Sequence, residues 1–381
     1  MHRYIPRELT AKIKKRLAIS PIVAILGSRQ CGKSTLAHHL LNKTDIYIDL
    51  ENPDDYQKLQ RPTAFLEENQ TKLICLDEIQ RYPHFFEILR SHVDKQNRPR
   101  QLLILGSASR DLIQQSSESL AGRISYTTLA PLLPSEVSIT QLNTLWLRGG
   151  YPRSFLAKTD EDSMIWRTDF IQTYLERDIP QLGLNISPSQ MRRLWMMLAH
   201  LHGQTLNKAK LAGSLGVDNH TVQRYIDILK DTFMITVLEP YHTNLKKRLI
   251  KAPKIYLSDP GMVHALLKIG SFNDLLGHPI YGMSWEGFVV QSIIHSADQW
   301  TPSFYRTSNG TEIDLILEKN QEKIAIEIKA SSAPKITPSF FNTLDELKIT
   351  ESYVIAPVKT SYPLTKTSRV CPLSDIVKRV Q

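Results

Sequence analysis

The chain has 381 residues, enough for two or three domains with separate cores, and its 41% hydrophobic and 22% charged residues are typical of a globular protein. No apolar run approaches the length that spans a bilayer and the basic N-terminus has no apolar signal core, so we expect neither membrane insertion nor secretion. Cys31, Cys75 and Cys371 are too few and too widely spaced for a disulfide framework or a zinc site, which favours a cytoplasmic protein. The net charge of +9 favours a polyanionic partner, although a solvated basic surface is the common alternative.

The first motif lies at residues 27–34, GSRQCGKS, which fit the pattern G-x-x-x-x-G-K-[ST]. An apolar strand is predicted before it, at residues 22–26, and a helix after it. Backbone N–H groups of such a loop surround phosphates, while Lys33 would reach the β- and γ-phosphates and Ser34 would bind Mg²⁺. We therefore predict an ATP site. The residues predicted to contact the nucleotide are Gly27, Ser28, Arg29, Gln30, Cys31, Gly32, Lys33, Ser34 and Thr35, together with Asp77 and Ser107.

A second element of an ATPase site lies at residues 72–80, KLICLDEIQ, which predict a buried parallel strand with two acids at its carboxyl end. Asp77 would hold Mg²⁺ through water, and Glu78 would orient and deprotonate the attacking water. Ser107 follows another apolar strand and would sense the γ-phosphate or position the water. Residues 45–52, DIYIDLEN, predict an extra strand inserted between the loop and Asp77, as in the additional-strand, catalytic-Glu ATPases.

Arg123 precedes one more predicted strand and is a candidate for stabilising transition-state charge. It would act in its own subunit or on the nucleotide of a neighbouring subunit, and the second arrangement requires a homo-oligomer. A surface ion pair is the alternative for Arg123, and Arg110 is the competing candidate for the catalytic arginine.

Five segments occur together in this chain: YIPREL, GSRQCGKSTL, LDEIQRYPHFFEILR, GSASRDLIQQSSESLAGR and GGYP. In this combination the chain resembles, over nearly its whole length, the prokaryotic AAA-type ATPases that carry a C-terminal restriction-endonuclease-like domain of the PD-(D/E)xK type. The resemblance implies ATP binding, a helix-turn-helix segment and a nuclease-like C-terminal domain.

The middle of the chain is predicted to be helical from about residue 160 to 200 and to form a helix-turn-helix within residues 205–241. A short helix would end at Gly216, and Asp218 or Asn219 would cap the next one. The side chains predicted to bury one face of that helix are Val222, Tyr225, Ile226 and Leu229. The side chains that would face outward, where a recognition helix reads a groove, are Asn219, His220, Gln223 and Arg224.

A basic stretch follows between two strand-like runs, as the wing of a winged helix does. Its residues are Lys246, Lys247, Arg248, Lys251 and Lys254. This charge suits contacts with DNA phosphates, which give affinity without sequence information. A winged helix that mediates only protein contacts is the alternative. The histidines show no ligand spacing with cysteines or carboxylates, so we predict no zinc site.

The last third contains four polar residues that suit a metal-dependent nuclease. A predicted helix presents Glu286 near its start, and a hairpin with its turn at residues 309–310 carries Asp314 on the returning strand. Glu327 and Lys329 would lie on one face of the next strand. This is the D…E-x-K pattern of restriction-endonuclease-like folds.

Hydrolysis of a phosphodiester requires carboxylates that hold one or two divalent metals and a charged group near the attacking water. Asp314 and Glu327 would bind Mg²⁺ or Mn²⁺, Lys329 would orient the nucleophile, and Glu286 would add a contact to the metal or the water. A structural ion pair between Glu327 and Lys329 is the alternative.

We therefore predict an α/β protein with a P-loop AAA-type ATPase domain at residues 1–150, a helical connector at 151–204, a winged helix-turn-helix at 205–260 and a restriction-endonuclease-like α/β domain at 261–381. The predicted function is ATP hydrolysis that couples nucleotide state to engagement of DNA, with metal-dependent DNA cleavage as a second activity. The alternative is a slow nucleotide-dependent switch or scaffold that binds protein partners and carries an inactive nuclease fold.

Overall fold

The computed structural model describes residues 4–82, 84–107, 120–181, 186–241 and 249–381. These residues form two compact units. The first contains the chain up to Leu132 and the short piece Asp231–Phe233, and the second contains the rest. The predicted division of the chain into further domains stays a prediction. In the described residues no helix is long and apolar enough to cross a membrane.

The first unit is an α/β fold. Its strands are β1 (Ile22–Leu26), β2 (Ile46–Asp49), β3 (Ile74–Asp77), β4 (Leu102–Gly106) and β5 (Ile124–Thr128). Its helices are α1 (Leu9–Leu17), α2 (Lys33–Leu40), α3 (Pro53–Lys58), α4 (Pro62–Glu68) and α5 (Phe85–Gln96), and a 3₁₀ turn covers Ile79–Arg81. β1, β3 and β4 are buried along their whole length, as expected for central strands of a parallel sheet.

The sheet of the first unit is parallel and has the order β2-β3-β4-β1-β5. An additional strand therefore separates β1, which leads into the glycine-rich loop, from β3, which ends at Asp77. This strand is β4, so the prediction that residues 45–52 supply it is wrong. Those residues form β2, at the edge of the sheet beside β3. The burial of the strands explains the difference, because all of β4 is buried and most of β2 is half-exposed.

The helices of the remaining chain are mostly short. They are α6 (Leu142–Arg148), α7 (Pro152–Phe155), α8 (Asp160–Thr173), α9 (Pro188–His200), α10 (Lys208–Leu215), α11 (Asn219–Asp231), α12 (Pro260–Leu266), α13 (Phe272–Gly277), α14 (Tyr281–Ser296), α15 (Pro338–Leu347) and α16 (Leu373–Val380). Two 3₁₀ turns cover Pro134–Glu136 and Ile139–Gln141, and α8 continues through the π-helical Tyr174–Asp178 into a last turn, Ile179–Gln181.

The second unit contains two sheets. The strands of the smaller sheet are β6 (Gln204–Thr205), β7 (Ile235–Leu238) and β8 (Lys254–Leu257), and they are antiparallel in the order β6-β8-β7. The strands of the larger sheet are β9 (Thr301–Arg306), β10 (Glu312–Lys319), β11 (Glu322–Ile328), β12 (Glu351–Ile355), β13 (Tyr362–Pro363) and β14 (Ser368–Cys371). Their order is β13-β14-β12-β11-β10-β9, and the sheet is mixed, with β9, β10 and β11 antiparallel and β11, β12 and β14 parallel.

On both sides of residues 242–248, the chain between β7 and β8 is hydrogen-bonded to β9, at the edge of the larger sheet. The amide of Phe304 on β9 donates a 3.1 Å hydrogen bond to the carbonyl of Glu239, and Tyr241 N donates to Phe304 O at 2.6 Å. Further along, Ile250 N donates to the carbonyl of Arg306 at 3.0 Å. These contacts pair backbone groups that an open edge strand would leave unpaired. They also hold Tyr241, which precedes the predicted basic wing, and Ile250 within it against β9.

The helix pair α10–α11 forms where the sequence predicts it. Gly216 ends α10 with φ +67°, a left-handed conformation that favours glycine. Asp218 Oδ1 accepts a 2.7 Å hydrogen bond from the amide of Thr221 and so caps α11. The four side chains predicted to bury one face of this helix are all buried.

The GGYP segment of the second unit is held by one buried carboxylate. Gly150 N donates a 2.7 Å hydrogen bond to Asp259 Oδ2, and Asp259 Oδ1 accepts one of 3.1 Å from Met262 N at the start of α12. Burial raises the pKa of Asp259 to about 6, although these backbone donors oppose the rise. The neighbouring Gly149 has φ +79°, and a Cβ at this position would lie 2.0 Å from Asp259 Oδ1.

We expect Gly149→Ala to destabilise the protein by about 1 to 3 kcal/mol, because alanine is strained at this φ and its Cβ displaces Asp259. Urea unfolding followed by circular dichroism measures the change. The matched control is Gly282→Ala in α14, where a Cβ meets no atom within 4 Å, and it should leave stability unchanged or raise it slightly. Equal unfolding midpoints for the two variants would contradict the steric role assigned to Gly149.

Candidate functional site

The glycine-rich loop joins β1 to α2 at the carboxyl edge of the parallel sheet. Lys33 is buried, and its Nζ donates 2.9 Å hydrogen bonds to the carbonyl oxygens of Gly27 and Ser28. Gly32 directly precedes α2 and has φ +107°, which favours glycine. The free amides of the helix N-terminus and the Lys33 ammonium thus belong to one loop, an arrangement that binds phosphates.

The other predicted loop residues differ in exposure. Ser28 and Cys31 are buried, Arg29 is half-buried, and Gln30 and Thr35 are exposed. Arg29 Nη2 donates a 2.9 Å hydrogen bond to Glu51 Oε1. Ser28 Oγ is buried and has no hydrogen-bond partner among the described residues, so it can serve a ligand.

Asp77 is buried at the end of β3 and accepts hydrogen bonds from two hydroxyl groups. Ser34 Oγ donates to Asp77 Oδ2 at 2.6 Å. The hydroxyl of Tyr47, on β2, donates to the same oxygen. Ser34 and Asp77, both predicted to bind Mg²⁺, are therefore in direct contact, and Tyr47 also fixes the orientation of the carboxylate.

Glu78 lies beside Ser107, as β4 is adjacent to β3. Its Oε2 is 3.4 Å from Ser107 Oγ. The side-chain Nε2 of Gln80 donates hydrogen bonds to both of these oxygens, and the bond to Ser107 Oγ is 3.0 Å long. Glu78 has φ +54°, a left-handed conformation that is uncommon outside glycine. Burial raises the pKa of Glu78; the charge of Lys33 opposes this shift, and the Asp77 carboxylate adds to it.

Arg7 stabilises the glycine-rich loop by a hydrogen bond to its backbone. Its Nη1 donates a 3.0 Å hydrogen bond to the carbonyl of Cys31, and its Nη2 donates to the carbonyls of Ala130 and Pro131 at 2.5 and 3.2 Å. Arg7 is buried, and these carbonyls belong to the segment that leaves β5 for the second unit. One side chain therefore connects the conformation of the glycine-rich loop to that segment.

These residues fit a nucleotide with Mg²⁺. Ser34 Oγ and Asp77 provide adjacent oxygen atoms, which are the ligands that Mg²⁺ prefers. Ser28 Oγ and Lys33 Nζ offer donors to phosphate oxygens, and Glu78 lies across the inserted strand.

Arg123 lies at the opposite edge of the sheet from the glycine-rich loop. It directly precedes β5, which runs parallel to β1 and ends five residues after Arg123, so it is roughly 16 Å from the loop edge at about 3.3 Å per residue. Its Nη2 donates a 2.8 Å hydrogen bond to Asp94 Oδ2, and this ion pair is the alternative that the sequence left open. At this distance the Arg123 side chain does not reach ATP bound to its own subunit, which corrects that prediction. Its action on the nucleotide of a neighbouring subunit stays a prediction. Arg110 lies outside the described residues.

A group of six charged side chains, three of them buried, lies in the second unit, and we call it the carboxylate centre. It consists of Lys254, Glu286, Glu312, Asp314, Glu327 and Lys329. The Nζ of Lys254 is 2.9 Å from Glu286 Oε1, 2.5 Å from Glu312 Oε1 and 3.7 Å from Asp314 Oδ1. Tyr256, two residues further along β8, donates its hydroxyl to Glu286 Oε1 at 2.7 Å.

The other half of the carboxylate centre is the predicted acid–lysine pair of β11. Lys329 Nζ donates to Glu327 Oε1 at 2.6 Å, and Glu327 Oε2 is buried without a hydrogen-bond partner among the described residues. Asp314 Oδ2 accepts a 2.8 Å hydrogen bond from the amide of Ile328. Burial, followed by the charge of Asp314, raises the pKa of Glu286 to about 7 and that of Glu327 to about 8.

The carboxylate centre in this arrangement does not fit a divalent metal. Within the described ranges, no three His, Cys, Asp or Glu side chains are grouped so that they could hold a metal ion. Oxygens of Glu286 and Glu312 contact an ammonium group instead. The metal roles predicted for Asp314 and Glu327 therefore stay predictions.

The predicted DNA-contacting residues have different surroundings. Asn219, His220, Arg224 and Lys251 are exposed, and Lys246, Lys247 and Arg248 lie outside the described residues. Gln223 is half-buried, because its side chain accepts from Lys208 and donates to Asp227, both at 2.9 Å. Lys254 does not belong to an exposed wing: it begins β8, and its side chain is 2% exposed.

Several site residues were missed by sequence reasoning. They are Arg7, Tyr47, Gln80, Lys254 and Glu312. Only Lys254 had a signal in the sequence that could have indicated burial. It begins the apolar strand KIYL, and Tyr256, two residues later, lies on the same face. The others depend on contacts between segments distant in sequence.

The geometry of the first unit defines a P-loop ATPase fold, and comparison with known proteins agrees. Residues 20–138 match the family model described as AAA domain. The Walker-type ATPase PABY2304 of Pyrococcus abyssi has a similar structure, with a TM-score of 0.50 and 14% identity over 69% of this chain and 96% of that one. At this identity the similarity shows the fold alone.

Two relatives extend over almost the whole chain. The uncharacterised proteins Rv2008c of Mycobacterium tuberculosis and Mb2031c of Mycobacterium bovis are each 39% identical over 373 residues, which is 97% of this chain and 84% of the relative. The chain therefore belongs to the family of these mycobacterial proteins. Residues 139–273 and 281–376 match two further models, Domain of unknown function (DUF8612) and Domain of unknown function (DUF4143).

We expect Glu78→Gln to lower kcat for ATP hydrolysis by roughly 10²- to 10⁴-fold while ATP still binds, since the amide cannot accept the proton of the attacking water. In the wild type, kcat should rise with pH through the raised pKa of Glu78, because the base acts when deprotonated. The residual activity of the variant should lack this rise. Glu87→Gln, an exposed position on α5, is the control. Wild-type turnover by Glu78→Gln would contradict the assignment.

Arg7→Met should weaken ATP binding by roughly 5- to 150-fold, equivalent to about 1 to 3 kcal/mol, because the carbonyls of Cys31, Ala130 and Pro131 lose the donor that holds the loop in place. Titration with a fluorescent ATP analogue measures the change. Lys14→Met removes an exposed charge from the same N-terminal region and should have no effect. Unchanged affinity in a folded Arg7→Met protein would show that Arg7 does not shape the loop.

Proposed function

We propose that the first unit binds ATP with Mg²⁺ in the reducing cytoplasm and hydrolyses it. The observation that carries this proposal is the position of Glu78, which contacts Ser107, the residue after the inserted strand, and follows Asp77 directly. Lys33 and the N-terminus of α2 would hold the phosphates, and Ser34 and Asp77 would hold the metal. Bound Mg²⁺ would neutralise charge on the phosphates. Glu78 would take the proton of the attacking water.

The second unit is proposed to engage DNA. The helices α10 and α11 with the three-stranded sheet support a winged helix-turn-helix, in which α11 is the recognition helix. Its exposed residues Asn219, His220 and Arg224 are suited to groove and phosphate contacts. Gln223 would join them only after leaving Lys208 and Asp227. Lys251 and the neighbouring basic residues 246–248 add positive charge for phosphates.

A nucleotide switch with an inactive nuclease-like domain is a second candidate, and one observation favours it. The Lys254 ammonium contacts carboxylates that a nuclease would use for metal. In this function, hydrolysis is slow and the second unit binds protein partners. In either function, Arg123 would act across a subunit boundary of a homo-oligomer.

If ATP hydrolysis is coupled to DNA, duplex DNA should raise kcat several-fold, and ATP should change DNA affinity measured by fluorescence anisotropy. Arg224→Gln should weaken DNA binding and reduce the slope of log affinity against log salt by about 1, because one phosphate contact is lost. Lys335→Gln, at an exposed position of the same unit, is a control that also removes one positive charge. DNA without effect on turnover, together with ATP without effect on DNA affinity, would favour the switch.

Cleavage is tested separately on supercoiled, linear and single-stranded DNA with Mg²⁺ or Mn²⁺, with and without ATP. If the carboxylate centre is an active nuclease, Asp314→Ala and Lys329→Ala should both abolish cleavage. Cleavage that persists in both variants would exclude this centre as its source. No cleavage by the wild type under any condition would support the inactive domain.

A further inference from the structure

The carboxylate centre already contains a cation that belongs to the protein. Lys254 is the first residue of β8, the central strand of the three-stranded sheet, and its side chain is 2% exposed. Its ammonium contacts Glu286 on α14 and Glu312 on β10, and it is 3.7 Å from Asp314. Three acids from two elements therefore converge on one nitrogen atom.

This nitrogen has the electrostatic role that a metal ion would have. A buried carboxylate needs a compensating charge, and an ammonium or a divalent cation can supply it to the same oxygen atoms. Burial alone would lower the pKa of Lys254, but Glu286, Asp314 and Glu312 outweigh burial and raise it.

The surroundings hold Lys254 in this position. β8 is hydrogen-bonded to β6 on one side and to β7 on the other, so its backbone cannot shift alone. Tyr256 lies on the same face of β8 and donates to the oxygen of Glu286 that Lys254 also contacts. The Nζ of Lys254 also lies 5.6 Å from the centroid of the Phe304 ring.

We propose that the Lys254 ammonium occupies the cation position of the carboxylate centre and excludes divalent metal from it. The centre is thus closed, and metal binding requires that Lys254 be withdrawn or removed. This inference concerns the regulation of the nuclease-like site considered under the proposed function, and it predicts that a single substitution creates a metal site.

The test measures Mn²⁺ binding to the full-length protein without nucleotide or DNA, by electron paramagnetic resonance of free Mn²⁺. Lys254→Met should gain about one Mn²⁺ ion per chain relative to the wild type, with oxygen ligands from the freed carboxylates. Mn²⁺ should also raise the thermal midpoint of this variant alone. Adding Asp314→Asn to Lys254→Met should remove the gain. Lys335→Met, which deletes an exposed lysine of the same unit, should show none.

Removal of one partner from a buried ion pair often destabilises a protein strongly, so a charge-balanced variant is included. Lys254→Met combined with Glu312→Gln deletes one ammonium and one carboxylate together and keeps Glu286, Asp314 and Glu327. Circular dichroism establishes which variants fold. A folded variant without Lys254 that binds no additional Mn²⁺, or a wild type that binds as much as the variants, would overturn the proposal. Because the readout needs neither ATP nor DNA, it is independent of whether ATP turnover responds to DNA.

Discussion

The ATP site depends on one property of the first unit's sheet, namely that its strands all run in the same direction. The carboxyl ends of parallel strands meet at one edge, so the loop of Lys33, the acids Asp77 and Glu78, and Ser107 are brought together although they are distant in sequence. The inserted β4 sets their spacing, because it separates β1 from β3 by two strand intervals of about 4.8 Å each. A single interval would leave less room for a water molecule between the phosphate-binding loop and Glu78.

The second unit depends on a different constraint, the compensation of buried charge. Four carboxylates and two ammonium groups form the carboxylate centre, and they come from both sheets and from α14. Such a group adds little net stability, since desolvation opposes the attraction of the charges. It fixes which elements pack together, because displacing Lys254 leaves the buried Glu286 without its cation. The hydrogen bonds of the β7–β8 connection along β9 secure the same packing through the backbone.

Sequence reasoning succeeded where the determining interactions are local. The glycine-rich loop, the acids at the end of β3 and the end of α10 at Gly216 follow from short segments whose residue types match one backbone geometry. It failed where pairing between distant segments decides. The edge position of β2 depends on which strand pairs with β3. Lys254 looked like part of a basic surface because the acids that bury it are at least 32 residues away.

The two lysines at the centre of these sites differ in how readily they can exchange partners. Lys33 is on a loop and donates to two neutral backbone carbonyls, so a phosphate oxygen offers it a stronger, charge-assisted hydrogen bond. Lys254 is on a central strand and already contacts two carboxylates, so an added anion offers it nothing stronger. ATP can therefore reorganise the first site through its own phosphates. The carboxylate centre has no comparable ligand, and only removal of the ammonium or movement of β8 opens it.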